Sequence, residues 1–142
     1  MVTNAVVLLA AGSLKGAFIP LLAGFHQQSG IRVEAHFGPA GLLRERIEGG
    51  AACSVFASAN RQHPQALRQA GRAGECYSFA RNQLMLTARR AACDDRADWL
   101  ALLTNPQLRL ATSTPGCDPS GDYTWQLFER IEARFPGSGS AM

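Results

Sequence analysis

The sequence predicts an α/β fold, with parallel strands and helices flanking the sheet. Three strand, turn, helix units follow one another within residues 1–75, which is the rhythm of a parallel sheet with right-handed crossovers. The first apolar run does not alternate with polar residues, as is typical of a strand buried on both faces. With 46% apolar residues in a chain of 142, a real core can form.

The first unit combines a strand over residues 4–10, a turn at Gly12 and Ser13, and a helix over residues 14–28. Pro20 lacks an N–H group and is expected to kink or restart this helix. Five apolar residues of the helix fall on one stripe: Ala17, Phe18, Leu21, Leu22 and Phe25.

The second and third units repeat this order. A strand over residues 31–37 leads through a turn at residues 38–41 into a helix that ends near Ile47. A strand over residues 53–58 precedes a helix over about residues 64–71. Because the carboxyl ends of parallel strands share one edge of a sheet, the turns that follow these strands are expected to meet there.

After residue 75 the pattern changes to longer extended stretches. The predicted elements are, in order, an extended segment at 76–89, a short helix at 100–103, a strand at 108–113 and a final helix after a turn-rich loop at 114–123. In the final helix, Trp125, Phe128 and Ile131 are expected to face inward. The Gly- and Ser-rich residues 135–142 are expected to fray.

Charge and hydropathy argue against several classes of protein. A formal net charge of +3 arises from 14 Lys and Arg residues, which are spread along the chain among 11 Asp and Glu residues. This distribution favours the attraction of anions in general and argues against a dedicated nucleic-acid surface. No stretch reaches 18 consecutive apolar residues, so no membrane span is predicted. The apolar start lacks a basic flank and is interpreted as mature sequence.

The cysteines and histidines do not fall into catalytic or metal-binding patterns. The cysteines lack CxxC and metal-ligand spacing, so that free thiols and one disulfide both stay open. The histidines accompany neither a GxSxG nor an HExxH motif. The residues concerned are Cys53, Cys76, Cys93, Cys117, His26, His36 and His63. Neither an enzyme activity nor a cofactor is therefore predicted.

Small residues with hydroxyl or backbone donors follow four strand ends. They are Ser13, Ala40, Ser58 and the pair Ser120-Gly121. Such donors can hold a dehydrated tetrahedral dianion, because hydrogen bonds to a charged acceptor are stronger than neutral ones. Each position also has an ordinary alternative. Ser13 can cap a helix, Ser58 can bond within its own loop, and the carboxylate of Asp118 can occupy the donors of Ser120 and Gly121.

Taken together, five stretches resemble the molybdate-binding proteins of bacterial ABC importers. They are AAGSLKGAF, FGPAGLLRERIEGG, VFASAN, FARNQLML, and NPQLRLATSTP with DPSGDY, in matching order and spacing over residues 6–131. The resemblance implies a type II periplasmic-binding-protein-like α/β fold, with parallel-rich sheets and flanking helices in two lobes. Residues 1–80 would form lobe I, and residues 81–142 would form an incomplete lobe II with a frayed tail.

The resemblance also implies which residues bind the oxyanion. Ser13 would donate its hydroxyl and N–H, and Ser120 its N–H. Ala40 stands where the family usually has serine, so it keeps an N–H and loses a hydroxyl. No residue is expected to ligate a metal directly, since molybdenum would enter only as the oxyanion. The implied ligand-binding residues are Ser13, Ala40, Ser120, Gly121 and Tyr123, and the supporting residues are Gly12, Gly41 and Ser58.

By the same resemblance, the protein would capture molybdate or tungstate by closure of two lobes and deliver it to the membrane component of an ABC importer. Its location would be the periplasm, and nucleic acid is not an expected partner. Family members continue beyond the helix that ends here, so the chain is expected to be truncated, with a homodimer completing its sheets. The alternative is a sensing or interaction module of the same fold that does not transport.

Overall fold

The structure, a computed structural model, describes residues 5–93, 96, 98–140 and 142. The chain divides into two compact units, Met1–Ala80 (unit 1) and Arg81–Met142 (unit 2). No helix in the described part of the chain is long and apolar enough to cross a membrane. Each unit is described below by itself.

Unit 1 contains a three-stranded parallel sheet. Its strands are β1 (Val6–Ala11), β2 (Val33–Gly38) and β3 (Val55–Ala57), in the spatial order β2-β1-β3. The prediction of a parallel sheet is confirmed, with β1 in the centre. The third strand is shorter than residues 53–58, because only Val55 to Ala57 pair with β1.

Three helices flank this sheet: α1 (Lys15–Ser29), α2 (Ala40–Glu48) and α3 (Gln62–Gln69). Leu8 and Ala10 of β1 form a cluster on which Phe18 and Leu22 of α1 pack. Because side chains alternate along a strand, the buried Leu9 lies on the opposite face of the sheet. Helix α2 packs against both β1 and α3. The predicted α/β fold, with a parallel sheet and flanking helices, is thus confirmed for unit 1.

Only part of the predicted apolar stripe of α1 is in contact with the core. Phe18 and Leu22 contact the core, but Leu21 is 61% exposed and Phe25 is 42% exposed. Only part of this stripe therefore packs against the core of unit 1.

Helix α1 runs through Pro20 without a restart, which corrects part of the prediction for that residue. A proline at this position removes the hydrogen bond to the carbonyl of Gly16. Both Pro20 and Gly16 are exposed, so water can satisfy that carbonyl. Helix α1 ends at Gly30, whose left-handed φ of 71° is readily adopted by glycine.

Unit 2 contains helices α4 (Trp99–Leu103) and α5 (Pro119–Arg134). Among its described residues no strand is present, so the strand predicted at 108–113 is wrong, and the extended segment at 76–89 also forms no strand. A strand needs a partner for its ladder, and none of the described residues pairs with either segment. The Leu108 N–H instead donates to the Asn105 carbonyl in a turn.

The final helix and tail differ from expectation in detail. Ile131 is buried as predicted, but Trp125 is 49% exposed and packs edge-to-face on Phe128 at a centroid distance of 5.6 Å. The tail was expected to fray, yet Gly137 and Gly139 donate their N–H groups to the carboxylate of Glu132. These donors lower the pKa of Glu132, because they favour its ionised form.

Candidate functional site

The carboxyl edge of the unit 1 sheet gathers three of the predicted turns. Ala11 pairs with Gly38 and Ala10 pairs with Ala57, so all three strands end at the same level. A β-carbon built on Gly12 would lie 4.0 Å from the carbonyl oxygen of Gly38. The turns that carry Ser13, Ala40 and Ser58 therefore lie along one edge, as their spacing predicts.

Ser13 lies in a single 3₁₀ turn, Gly12–Leu14, between β1 and α1. The residue preceding α1 is Leu14, and no side chain caps the helix. The Ser13 side chain is exposed, and its hydroxyl makes no hydrogen bond to any described residue. The helix-capping alternative for Ser13 is therefore not adopted, and its hydroxyl is available to an acceptor at the sheet edge.

The start of α2 presents unpaired backbone donors. Pro39 precedes the helix and offers no side-chain cap. The first hydrogen bond of the helix joins the Leu43 N–H to the Pro39 carbonyl oxygen, at 3.0 Å. The N–H groups of Ala40 and Gly41 thus belong to the donors that the helix itself leaves unsatisfied. Ala40 is 0% exposed, and neither the first turn of α1 nor that of α2 contains an acidic residue.

Ser58 is engaged in its own loop, one of the alternatives that the sequence left open. Its hydroxyl donates to Asn60 Oδ1 at 3.3 Å and accepts from the Asn60 N–H at 3.2 Å. Asn60 Oδ1 also accepts from the His63 N–H at 3.2 Å, a donor in the first turn of α3. Ser58 and Asn60 therefore hold the turn after β3 in place.

Sequence reasoning missed the buried polar residues behind this turn. Asn60 and His63 are both buried, and Arg44 Nη1 lies 3.4 Å from His63 Nδ1. Since a guanidinium can only donate, Nδ1 accepts this hydrogen bond. Arg44 Nε also lies 3.2 Å from a carboxylate oxygen of Glu48. An asparagine three residues before His63 at a helix start was the sequence signal for Asn60.

In unit 2 the donors of Ser120 and Gly121 are already engaged. The Ser120 N–H donates to Asp118 Oδ1 at 3.2 Å, and the Gly121 N–H donates to the Asp118 carbonyl oxygen at 3.0 Å. This is the alternative in which Asp118 itself occupies the donors. An oxyanion could use these two N–H groups only by displacing Asp118.

The loop before α5 also covers Gly121. A β-carbon at this buried position would meet the Ser113 carbonyl oxygen and would lie 2.8 Å from Pro115 N. Gly116, with a left-handed φ of 81°, donates its N–H to Asp122 Oδ1 at 2.7 Å. Tyr123 is partly exposed, and its hydroxyl makes no hydrogen bond to the described residues. The predicted binding residues thus divide between the two units.

The cysteines and acidic residues give no sign of a resident metal. All four cysteines are free thiols, which decides between the two alternatives left by the sequence. Burial raises the pKa of Cys53, whose thiol donates to the Val55 carbonyl. Among the described residues, no group of three His, Cys, Asp or Glu side chains could hold a metal ion.

Two relatives and one solved structure illustrate what the chain is similar to. The uncharacterized protein PM1146 of Pasteurella multocida (strain Pm70) is 44% identical over 136 residues, which cover 95% of this chain and 56% of that protein. The molybdate-binding protein ModA of Escherichia coli (strain K12) is 26% identical over 140 residues, which cover 90% of this chain and 52% of ModA. The chain spans about half the length of these two relatives.

The solved structure of the Azotobacter vinelandii periplasmic molybdate-binding protein is 29% identical to the chain. It aligns with a TM-score of 0.46 over 46% of this chain and 29% of its own. The family model of the bacterial extracellular solute-binding protein matches residues 6–140. Since this match covers nearly the whole sequence, the chain belongs to the family of bacterial extracellular solute-binding proteins.

Proposed function

We propose that the chain binds a tetrahedral oxyanion, molybdate or tungstate, and belongs to the capture step of an ABC importer in the periplasm. The observation that carries this proposal is the set of donors at the unit 1 sheet edge. The exposed hydroxyl of Ser13 and the unpaired N–H groups of Ala40 and Gly41 lie at neighbouring strand ends. Neutral oriented donors of this kind suit a fully deprotonated oxyanion.

The membership of a solute-binding family supports binding over catalysis. The 26% identity to a molybdate-binding protein over most of this chain supports the choice of ligand. Unit 1 carries the attractive part of the site, since no acidic side chain occupies the first turns of α1 and α2. The proposal also keeps Ser120, Gly121 and Tyr123 of unit 2 as ligand-binding residues, and binding involves no covalent step.

Isothermal titration with molybdate and tungstate tests this function directly. We expect saturable binding of both, with sulfate and phosphate binding far more weakly. Bound ligand stabilises the folded chain by RT ln(1 + [L]/Kd), about 2.7 kcal/mol at a hundredfold excess over Kd, so the melting temperature should rise in the same order. Equal shifts with all four anions, or no shift, would contradict the proposed selectivity.

A second candidate is a non-transporting module of the same fold that pairs with another copy of itself. It is favoured by the exposed apolar flank of α1, where Leu21 and Phe25 face solvent. Sedimentation velocity over a range of concentrations separates the two. A dimer that forms with or without molybdate favours the module, whereas a monomer that binds molybdate favours the carrier.

A further inference from the structure

We propose that His63 is a pH-sensitive latch between helices α2 and α3, which holds them together while its imidazole is neutral and loosens them when the ring takes up a proton. The inference does not depend on the proposed oxyanion function, because it concerns how two helices of unit 1 pack on each other. It rests on the contact between His63 and Arg44, within a largely buried polar cluster.

His63 is held in the interior of unit 1 at the start of α3. It is 6% exposed, and its N–H donates to Asn60 Oδ1 at 3.2 Å. Asn60 is also buried, and it bonds the Ser58 hydroxyl in the turn after β3. One turn further along α3, Leu67 is 1% exposed. A proton on the imidazole must therefore be accommodated inside the fold or relieved by movement of α3.

Helix α2 supplies a partner for the imidazole. Arg44 Nη1 lies 3.4 Å from His63 Nδ1, and a guanidinium can only donate, so Nδ1 accepts this hydrogen bond and carries no proton. A second proton on the ring would have to occupy this same nitrogen. The hydrogen bond would then be lost, and two positive charges would lie side by side where burial leaves little water to screen them.

The other charges on these two helices do not balance this repulsion. Arg44 Nε lies 3.2 Å from Glu48 Oε1, so the carboxylate of Glu48 already pairs with the guanidinium. The remaining charged residues of α2 and α3, with the residue that precedes α3, have exposed positions: Glu45, Arg46, Arg61 and Arg68. Protonation of His63 would therefore set two adjacent positive charges against the one negative charge of Glu48.

The direction of the pH dependence follows from the protons bound in each state. When α3 opens, the imidazole meets water and takes up a proton near the ordinary histidine pKa of about 6.5. The packed state disfavours that proton, so below this pH it binds fewer protons than the open state. The packing of α3 is therefore strongest above about pH 6.5 and weakens as the pH falls, by at most about tenfold in the opening equilibrium constant for each pH unit.

The test measures hydrogen exchange of the amides inside α3, in the full chain, at pH 7 and pH 5. Exchange rates are converted to protection factors, which removes their intrinsic pH dependence. The wild type is compared with His63→Gln, whose amide oxygen can still accept from Arg44 but gains no charge in acid. Differences between the proteins cancel the contribution of every titrating group that they share.

Two further variants separate the contact from general effects of histidine and burial. His36→Gln is the matched control, because His36 is a partly exposed histidine of the same unit, with its Nε2 2.9 Å from Glu34 Oε1. Arg44→Gln removes the positive charge beside His63 and keeps an amide that can donate to Nδ1.

Between pH 7 and pH 5, we expect the α3 protection factors of the wild type and of His36→Gln to fall about tenfold more than those of His63→Gln. Arg44→Gln should show a smaller fall than the wild type, since a protonated ring would meet no guanidinium. Equal falls in the wild type and His63→Gln would overturn the latch. A fall in Arg44→Gln as large as that of the wild type would overturn the role of the Arg44 contact. If His63→Gln fails to fold by circular dichroism at pH 7, His63→Asn replaces it, since its amide oxygen is also an uncharged acceptor.

Discussion

Gly121 lies against the carbonyl oxygen of Ser113 so closely that a side chain at position 121 would overlap the loop before α5. This contact fastens the loop to the helix over the buried face of Gly121. It explains why glycine is needed at a helical position, where its flexibility normally costs stability.

Gly121→Ala should destabilise the protein, because the loop backbone must shift to admit the methyl group. Overpacking of this kind costs about 1–3 kcal/mol. The measurement is the urea midpoint followed by circular dichroism. Gly74→Ala serves as the control, since a β-carbon at Gly74 meets nothing within 4 Å. Equal midpoints for the two variants would contradict the packing role of Gly121.

Ser13→Ala should weaken oxyanion binding without lowering stability. Its hydroxyl makes no hydrogen bond to the described residues and caps no helix, so the folded state loses nothing. A hydrogen bond to a charged group contributes about 1.5–3 kcal/mol, or about ten- to a hundredfold in affinity. Titration calorimetry measures the affinity, and a melting curve without ligand serves as the control.

Ala40→Ser should act in the opposite direction and strengthen oxyanion binding. It restores a hydroxyl beside N–H donors that α2 leaves unpaired. The expected gain is smaller than the loss in Ser13→Ala, since Ala40 is fully buried and the added oxygen must be accommodated. If neither variant changes the affinity measured by calorimetry, the oxyanion does not bind at the unit 1 sheet edge.

Lowering the pH should destabilise the C-terminal turn, in which Gly137 and Gly139 donate to Glu132. The N–H groups of Gly137 and Gly139 lower the pKa of Glu132, so the turn gains stability that is fully present above the ordinary glutamate pKa of about 4.3. That contribution is lost as the pH falls from there through the lower pKa of the folded state. The protection factors of the Gly137 and Gly139 amides, which correct the exchange rate for its intrinsic pH dependence, should fall over this range, and in Glu132→Gln they should be low at neutral pH as well.

Asn60→Ala should destabilise unit 1, because it leaves the His63 N–H in the first turn of α3 without its Asn60 Oδ1 acceptor. Loss of a hydrogen bond that leaves a buried donor unsatisfied costs about 1–3 kcal/mol. Asn82→Ala is the matched control, since Asn82 Oδ1 bonds only the next N–H in an exposed segment. Urea unfolding compares the two. A loss no larger than that of the control would mean that Asn60 does not hold the turn after β3.

The sequence was sufficient to predict the helices and strands of unit 1. Local patterns specify its helices and turns, and continuous apolar residues specify its buried strands. The apolar run in β1 and the turns at Gly12 and Gly38 predict both the strands and the edge at which Ser13 and Ala40 lie. What could not be predicted is which part of an apolar stripe is covered. Leu21 and Phe18 are both large apolar residues on one helix, yet Phe18 packs on the core and Leu21 is exposed.

The structure of unit 2 was harder to predict from the sequence, for a different reason. Residues 108–113 have the composition of a strand, but a strand forms only when a second segment satisfies its backbone. Ser120 is a similar case among the predicted binding residues. From the sequence, its N–H could donate either to a ligand or to Asp118. In the structure, Ser120 N lies 3.2 Å from Asp118 Oδ1, so the Asp118 carboxylate accepts this hydrogen bond.

The central strand β1 has a consequence for how the protein is made. It finds both of its ladder partners, β2 and β3, within the first 57 residues. All three strands precede unit 2 in the chain, and nascent chains generally fold from the N-terminal end. The sheet edge that carries Ser13 and Ala40 can therefore assemble on the ribosome before α5 has been synthesised.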